Sequence, residues 1–211
     1  MHIKPLAKFA VGDSSTFFNK VAHYHYKIIL YLKGINNMNT NAKATAIYLC
    51  GFMGCGKTTI GKIVAKKLGK KLIDLDIYIQ EKEGMTIPEI FDKKGEDYFR
   101  EKESEYLAQL KSSSAVVATG GGALLSDKNG EIAKKSGTVF YIDTPFQFCY
   151  NRIKDDKNRP IAYNSTTEQL QDRYNYRRPL YQKHSHYTVS GKGSPLTVAT
   201  RIINQFKAHN S

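Results

Sequence analysis

The stretch Gly51-Phe52-Met53-Gly54-Cys55-Gly56-Lys57-Thr58 has the residue types and spacing needed to hold a chain of phosphates. A polyphosphate presents many acceptor oxygens and several negative charges, so its site needs converging N–H donors and a mobile cation. Gly51 and Gly56 allow a tight turn whose backbone N–H groups point inward, and a helix opening near Lys57 aims its positive end at the same anion. Lys57 can reach the β- and γ-phosphates and the Thr58 hydroxyl can ligate Mg²⁺. The apolar run before this loop and the helical pattern after it are the context that the mechanism requires.

Other candidates for chemistry recur downstream. Asp74 and Asp76 stand two apart at the end of an apolar run; on extended backbone they would point the same way, one toward a hydrated Mg²⁺ and the other toward a substrate hydroxyl. The alternative is a pair of helix-capping carboxylates. Gly120-Gly121-Gly122 is either a flexible turn or a place where backbone N–H groups approach a ligand closely. Arg100 falls in the first turns of a helix, an unfavourable place for a cation, which favours an anion clamp over a surface charge. The polar stretch from Arg152 to Arg159-Pro160 reads as a lid with arginines to close over phosphates, or else as a solvated loop. Arg173 and Arg177, four apart on a long helix, share a face and either could reach a cleft. His184 and His186 have no metal-type partners and are expected at the surface.

The elements that must position these groups alternate in type. Strands are expected at 46–50, 71–75, 115–118, 138–142 and 186–189. Helices are expected at 58–68, 77–83, 87–94, 98–111, 127–135, 145–153, 167–182 and 195–208, with 155–165 irregular. Gly69 is placed as the cap that ends the first helix, and Pro88 lies in the first turn of its helix. This alternation predicts an α/β fold: a three-layer arrangement with a central five-stranded parallel sheet between two helical layers. Ligands bind such sheets beyond the carboxyl ends of the strands. The phosphate loop, Asp74/Asp76 and the triple glycine all fall there.

Bulk properties narrow the class. A chain of 211 residues with 41% hydrophobic content supports one globular domain. Its longest apolar run, Ile28 to Leu32, cannot span a bilayer, so no membrane role is expected. Cys50, Cys55 and Cys149 show no metal-ligand spacing and indicate a reducing, cytoplasmic setting; Cys55 reads as a small filler. The net charge is +13, of which residues 1–43 supply +5 through six lysines against Asp13. The rest is interleaved with acidic groups and gathers near the expected site, as it would for anionic substrates, and no aromatic–basic motif speaks for nucleic acid. Residues 1–43 form an N-terminal leader without the features of a signal or transit peptide; residues 1–37, before Met38, are expected to be dispensable. The single catalytic domain then runs from 44 to 211.

From Ala44 to Ala208 the chain resembles bacterial shikimate kinase, a small P-loop kinase of the nucleoside-monophosphate-kinase type. The resemblance rests on ordered blocks: Gly51 to Gly61, Asp74-Leu75-Asp76, Ile87-Pro88-Glu89-Ile90-Phe91, Gly95 to Glu103, Ala118 to Gly122, Arg159-Pro160 and Arg177-Arg178-Pro179-Leu180-Tyr181. It implies transfer of the ATP γ-phosphate to the 3-hydroxyl of shikimate by a cytoplasmic monomer using Mg²⁺, with substrate-binding helices over about 76–111 and a lid over about 154–165. On the family pattern, Asp76, Arg100, Gly121 and Arg177 hold shikimate, the two arginines gripping its carboxylate. Gly54, Cys55, Gly56, Lys57, Thr58 and Thr59 hold ATP together with Arg159, while Arg152 and Pro195 flank the adenine. Lys57, Asp76 and Arg159 carry catalysis, and Thr58 and Asp74 serve Mg²⁺. Arg178 beside Arg177 leaves two candidates for the carboxylate, with register to Pro179-Leu180-Tyr181 favouring Arg177. Competing readings are another small-metabolite P-loop kinase such as a gluconate kinase, a regulatory nucleotide-binding module, and a nucleic-acid binder. The first predicts a different acceptor, the second a broken Lys57, Asp76 or Arg100, and the third salt-sensitive retention on nucleic acid.

Overall fold

The computed structural model describes residues 46–156 and 160–210. The expected leader and Arg159 lie outside them. Along the chain run β1 (Ala46–Cys50), α1 (Lys57–Leu68), β2 (Lys71–Asp74), α2 (Leu75–Glu83), α3 (Ile87–Gln109), β3 (Ala115–Ala118), α4 (Asp127–Ser136), β4 (Gly137–Asp143), α5 (Phe146–Ile153), α6 (Pro160–Tyr163), α7 (Thr167–Lys183), β5 (Tyr187–Ser190) and α8 (Pro195–Asn210). The sheet is wholly parallel, in the order β2-β3-β1-β4-β5.

The burial of each strand follows its place in the sheet. β1, β3 and the middle of β4 are buried on both faces and read as continuous apolar runs, whereas the edge strands β2 and β5 are partly exposed. The three-layer α/β/α fold expected from the alternation is the one observed. α1 packs with α8, α3 with α4, and α7 with α5 and β4. Register brings Leu49 beside Ala118 and Cys50 beside Tyr141, so the strand ends open onto one edge. Among the described residues, no helix is long and apolar enough to cross a membrane.

Local signals explain most boundaries. Gly69 closes α1 in the left-handed region (φ 63°), as expected. α3 opens with a reciprocal capping box between Thr86 and Glu89, with proline in its first turn. Three expectations need correction. The helices expected at 87–94 and 98–111 meet at a single kink, Gly95 (φ 85°, ψ 168°), because one glycine outside helical geometry redirects the chain without a connecting loop. The segment 155–165 is not irregular throughout, since Pro160–Tyr163 forms a short helix with Ala162 buried. His184 is buried rather than at the surface, whereas His186 is exposed, accepting the Val139 N–H at 3.0 Å.

Candidate active site

The phosphate loop joins the fully buried strand β1 to α1 and wraps a cavity of about 300 Å³. Gly54 and Gly56 have positive φ (78° and 100°), which lets the loop turn back on itself and leaves α1 opening toward the cavity. Gly54, Gly56, Lys57, Thr58, Thr59 and Arg152 all line it. The Lys57 ammonium donates to the carbonyls of Gly51 (2.9 Å) and Phe52 (3.2 Å), and Arg152 donates to the Gly54 carbonyl at 2.9 Å. Cys55 is buried behind the loop and does not line the cavity, nor does Pro195, exposed in the first turn of α8. Burial raises the pKa of the Cys50 and Cys149 thiols, so these two are packing groups rather than nucleophiles.

Asp74 and Asp76 diverge rather than projecting together from a strand. Asp74 caps α2, its Oδ1 accepting the Asp76 N–H at 3.2 Å and its Oδ2 the Thr58 hydroxyl at 2.7 Å. The capping alternative therefore holds for Asp74, while its second oxygen still faces the phosphate loop. Thr58 and Asp74 place two hard oxygen donors side by side at this cavity, a donor set that suits Mg²⁺ completed by phosphate and water. Among the described residues there is no group of three or more His, Cys, Asp or Glu that could bind a metal by themselves.

Asp76, in the first turn of α2, borders a second cavity of about 180 Å³. Its polar wall consists of Arg100, Glu103, Arg177 and Gly120 to Gly122, its apolar wall of Met53, Ile87, Phe91 and Phe99, and Ile161 and Ala162 of α6 cover it. The kink at Gly95 aims the second half of α3 here, packing Phe99 at a tilt against Phe91 (5.0 Å between ring centroids) and bringing the Arg100 guanidinium over the Phe99 ring (5.1 Å). The triple glycine leaves room for charged heads. A Cβ at Gly120 would lie 2.5 Å from an Asp76 carboxylate oxygen, and one at Gly122 would lie 2.7 Å from an Arg100 nitrogen. The two cavities share Met53, Asp76 and Gly121. A carboxylate thus stands where a phosphate chain and a second ligand would meet.

The neighbouring arginines have separate surroundings. Arg177 is 7% exposed and donates to the Gly121 carbonyl at 3.0 Å inside the second cavity. Arg178 turns away to a two-point pair with Asp143 (2.8 and 3.3 Å), and Arg173 lines a different surface cavity. Only Arg177 of the three borders the second cavity.

Sequence reasoning assigned no role to Glu103, yet it is 1% exposed and accepts from Arg100 at 2.9 Å. Burial pushes its carboxyl up to about 7, with nearby Asp76 adding to the rise and Arg100 and Arg177 opposing it. For Arg100, burial works against the charge, but Glu103 and Glu96 outweigh it and the net shift is upward. The spacing of three between Arg100 and Glu103 on one helix was the legible signal. Tyr181, whose hydroxyl donates to the Gly121 carbonyl, and His184 were also missed, because their partners lie about 60 residues away.

The family model described as Shikimate kinase matches residues 53–207. Shikimate kinase of Acinetobacter baumannii (strain AYE) is 43% identical over 160 residues, spanning 74% of this chain and 89% of that protein. Shikimate kinase of Sulfurihydrogenibium sp. (strain YO3AOP1) is 38% identical over 162 residues, 76% of this chain and 97% of that protein. Among solved structures, the Acinetobacter baumannii shikimate kinase in complex with shikimate superposes with a TM-score of 0.74 at 40% identity, covering 78% of this chain and 94% of that one. A gluconokinase from Sinorhizobium meliloti shares the fold alone, at 13% identity and a TM-score of 0.51. The ordered motifs, the joined cavities and these likenesses lead to one conclusion: the chain belongs to the shikimate kinase family.

Proposed function

We propose that the chain transfers the γ-phosphoryl group of ATP to the 3-hydroxyl of shikimate, giving shikimate 3-phosphate and ADP for aromatic amino-acid biosynthesis. The observation that carries this reading is the junction of the two cavities at Asp76. ATP fits the loop cavity, its phosphates on the backbone N–H groups and α1 N-terminus, with Lys57 free to exchange its loop carbonyls for phosphate oxygens. Arg152 faces the same cavity; Arg159 belongs to the expected lid, and its role is carried from the family pattern. Shikimate fits the second cavity: Arg100 and Arg177 pair with its carboxylate, Phe91, Phe99 and Met53 pack its ring, and Asp76 and Gly121 meet its hydroxyls.

Catalysis on this arrangement is positioning plus charge neutralisation. Asp76 accepts a hydrogen bond from the attacking hydroxyl and takes its proton as the O–P bond forms. Lys57 stabilises the charge on the transferring group. Thr58 and Asp74 would hold Mg²⁺, which supplies further neutralisation of the phosphate oxygens when bound. α6 over the acceptor keeps water from competing for the phosphoryl group. The cysteines Cys50, Cys55 and Cys149 are buried and free, which supports a reducing compartment such as the cytoplasm. Coupled ADP release with ATP and Mg²⁺, with and without shikimate, tests the reading. Strong shikimate dependence is expected, and release indifferent to shikimate would overturn it.

A further inference from the structure

α7 carries a buried stripe, Leu170, Tyr174, Arg177 and Tyr181, at helical spacing. His184, the residue that ends the helix, continues that stripe and is 4% exposed. The last three polar members all bond the glycine loop: Arg177 and Tyr181 donate to the Gly121 carbonyl, and the His184 Nδ1 lies 2.8 Å from the Leu124 carbonyl. The other ring nitrogen, Nε2, lies 2.8 Å from Asp127 Oδ1, in the first residue of α4. One imidazole therefore ties the end of α7, the glycine loop and α4 together.

Two features show a fitted contact. Gly130 lies inside α4, where glycine costs about 1 kcal/mol relative to alanine; a Cβ there would lie 2.4 Å from the His184 ring, so α4 admits the imidazole only because that position is bare. Both ring nitrogens also face acceptors, a carbonyl and a carboxylate, so both must donate for both bonds to form. A neutral imidazole has one N–H, and the protonated ring has two. The charged groups around it are Asp127 on α4, Lys183 on α7, whose ammonium shares Asp127 Oδ1 at 2.6 Å, and Lys134 on α4, whose ammonium meets the Lys183 carbonyl at 3.4 Å.

We propose that His184 is a positioning residue for the acceptor: it anchors the end of α7 on the loop and on α4, and so holds Arg177 and Gly121 in register. This rests on the reading that those two residues bind shikimate. His184 borders neither the phosphate-loop cavity nor the acceptor cavity, so its influence passes through the backbone of the loop and helix.

The test is steady-state kinetics of the full chain with ATP and shikimate for wild type, His184→Ala, His184→Gln and Gly130→Ala, each checked by thermal unfolding. His184→Ala is expected to raise the shikimate KM about tenfold, as for loss of a charge-assisted anchor, with the ATP KM unchanged and kcat within about threefold. Gly130→Ala, which pushes the ring out, should give the same pattern. His184→Gln, which can keep one anchor, should fall between. Should His184→Ala fail to fold, His184→Gln and Gly130→Ala decide. A shikimate KM within twofold of wild type in the folded variants, or equal rises for ATP and shikimate, would overturn the inference alone. Wild type without shikimate-dependent ADP release would remove the proposed acceptor and the inference with it.

Discussion

The two halves of the site are built by different physics. The loop cavity is centred on one contiguous stretch, Gly51 to Thr59, which offers mostly backbone N–H donors and a helix end, with Asp74 and Arg152 added from elsewhere. The cavity proposed for the acceptor draws Asp76, Arg100, Glu103, Gly121 and Arg177 from four separate stretches and presents mostly side chains. A backbone cradle is set by local conformation and is insensitive to its neighbours. A side-chain pocket depends on how helices pack, and its charges perturb one another, as the shift of Glu103 to about 7 shows. The acceptor half should therefore be the tunable one, and mutations should separate the halves cleanly.

The largest effect is expected at the junction. Asp76→Asn should lower kcat by about 10²–10⁴-fold, the range of a positioned base, while thermal unfolding shows an intact fold; near-normal kcat would remove Asp76 from the reaction. Next, Arg100→Ala should raise the shikimate KM by about thirtyfold, as for a lost charged pairing, and leave ATP binding, measured by calorimetry, nearly unchanged. Equal weakening toward both ligands would break the comparison between halves.

The adjacent arginines sharpen it further. Arg177→Ala should match Arg100→Ala in its kinetics. Arg178→Ala removes a half-exposed pair with Asp143 and should cost at most about 1 kcal/mol in denaturant unfolding, with the shikimate KM unchanged.

Glu103 supplies a pH signature confined to the acceptor half. Folding raises its carboxyl from about 4.5 to about 7, so the folded chain binds this proton more tightly than the unfolded one. Its contribution to stability is then fully present below 4.5 and is lost as pH rises through about 7. Glu103→Gln should remove a slope of at most about 1.4 kcal/mol per pH unit in that window. Loss of the proton also offsets the charge of Arg100 and Arg177, so wild-type shikimate KM should climb with pH and the variant should respond less. The smallest effect concerns residues 1–37: a chain beginning at Met38 is expected to keep both KM values, and loss of activity would assign the leader a role.

Much of this molecule was legible in advance because its signals are local. Alternating apolar runs and helical periods specify the parallel sheet, Gly69 and Pro88 mark helix ends, and the glycine–lysine–threonine spacing places the phosphate cradle. Asp76 could be named as a candidate from its spacing with Asp74 at a strand end, and Arg100 because a cation in the first turns of a helix is out of place unless it meets an anion. The reading weakened where a residue's role depends on partners distant in sequence. Glu103 resembles any helical glutamate until burial and Arg100 define it, and His184 looked like a surface residue because Leu124 and Asp127 are about 60 positions away.

Residue order by itself therefore determined the fold class, the phosphate loop and the set of charged candidates, since these follow from backbone preference and spacing over a few residues. Tertiary structure alone decided that Asp74 caps a helix while Asp76 borders two cavities, that Arg177 lines the second cavity while Arg178 is held by Asp143, and that Glu103 is buried beside Arg100. Those outcomes depend on desolvation and on contacts between segments far apart in the chain, quantities that no short stretch of sequence contains.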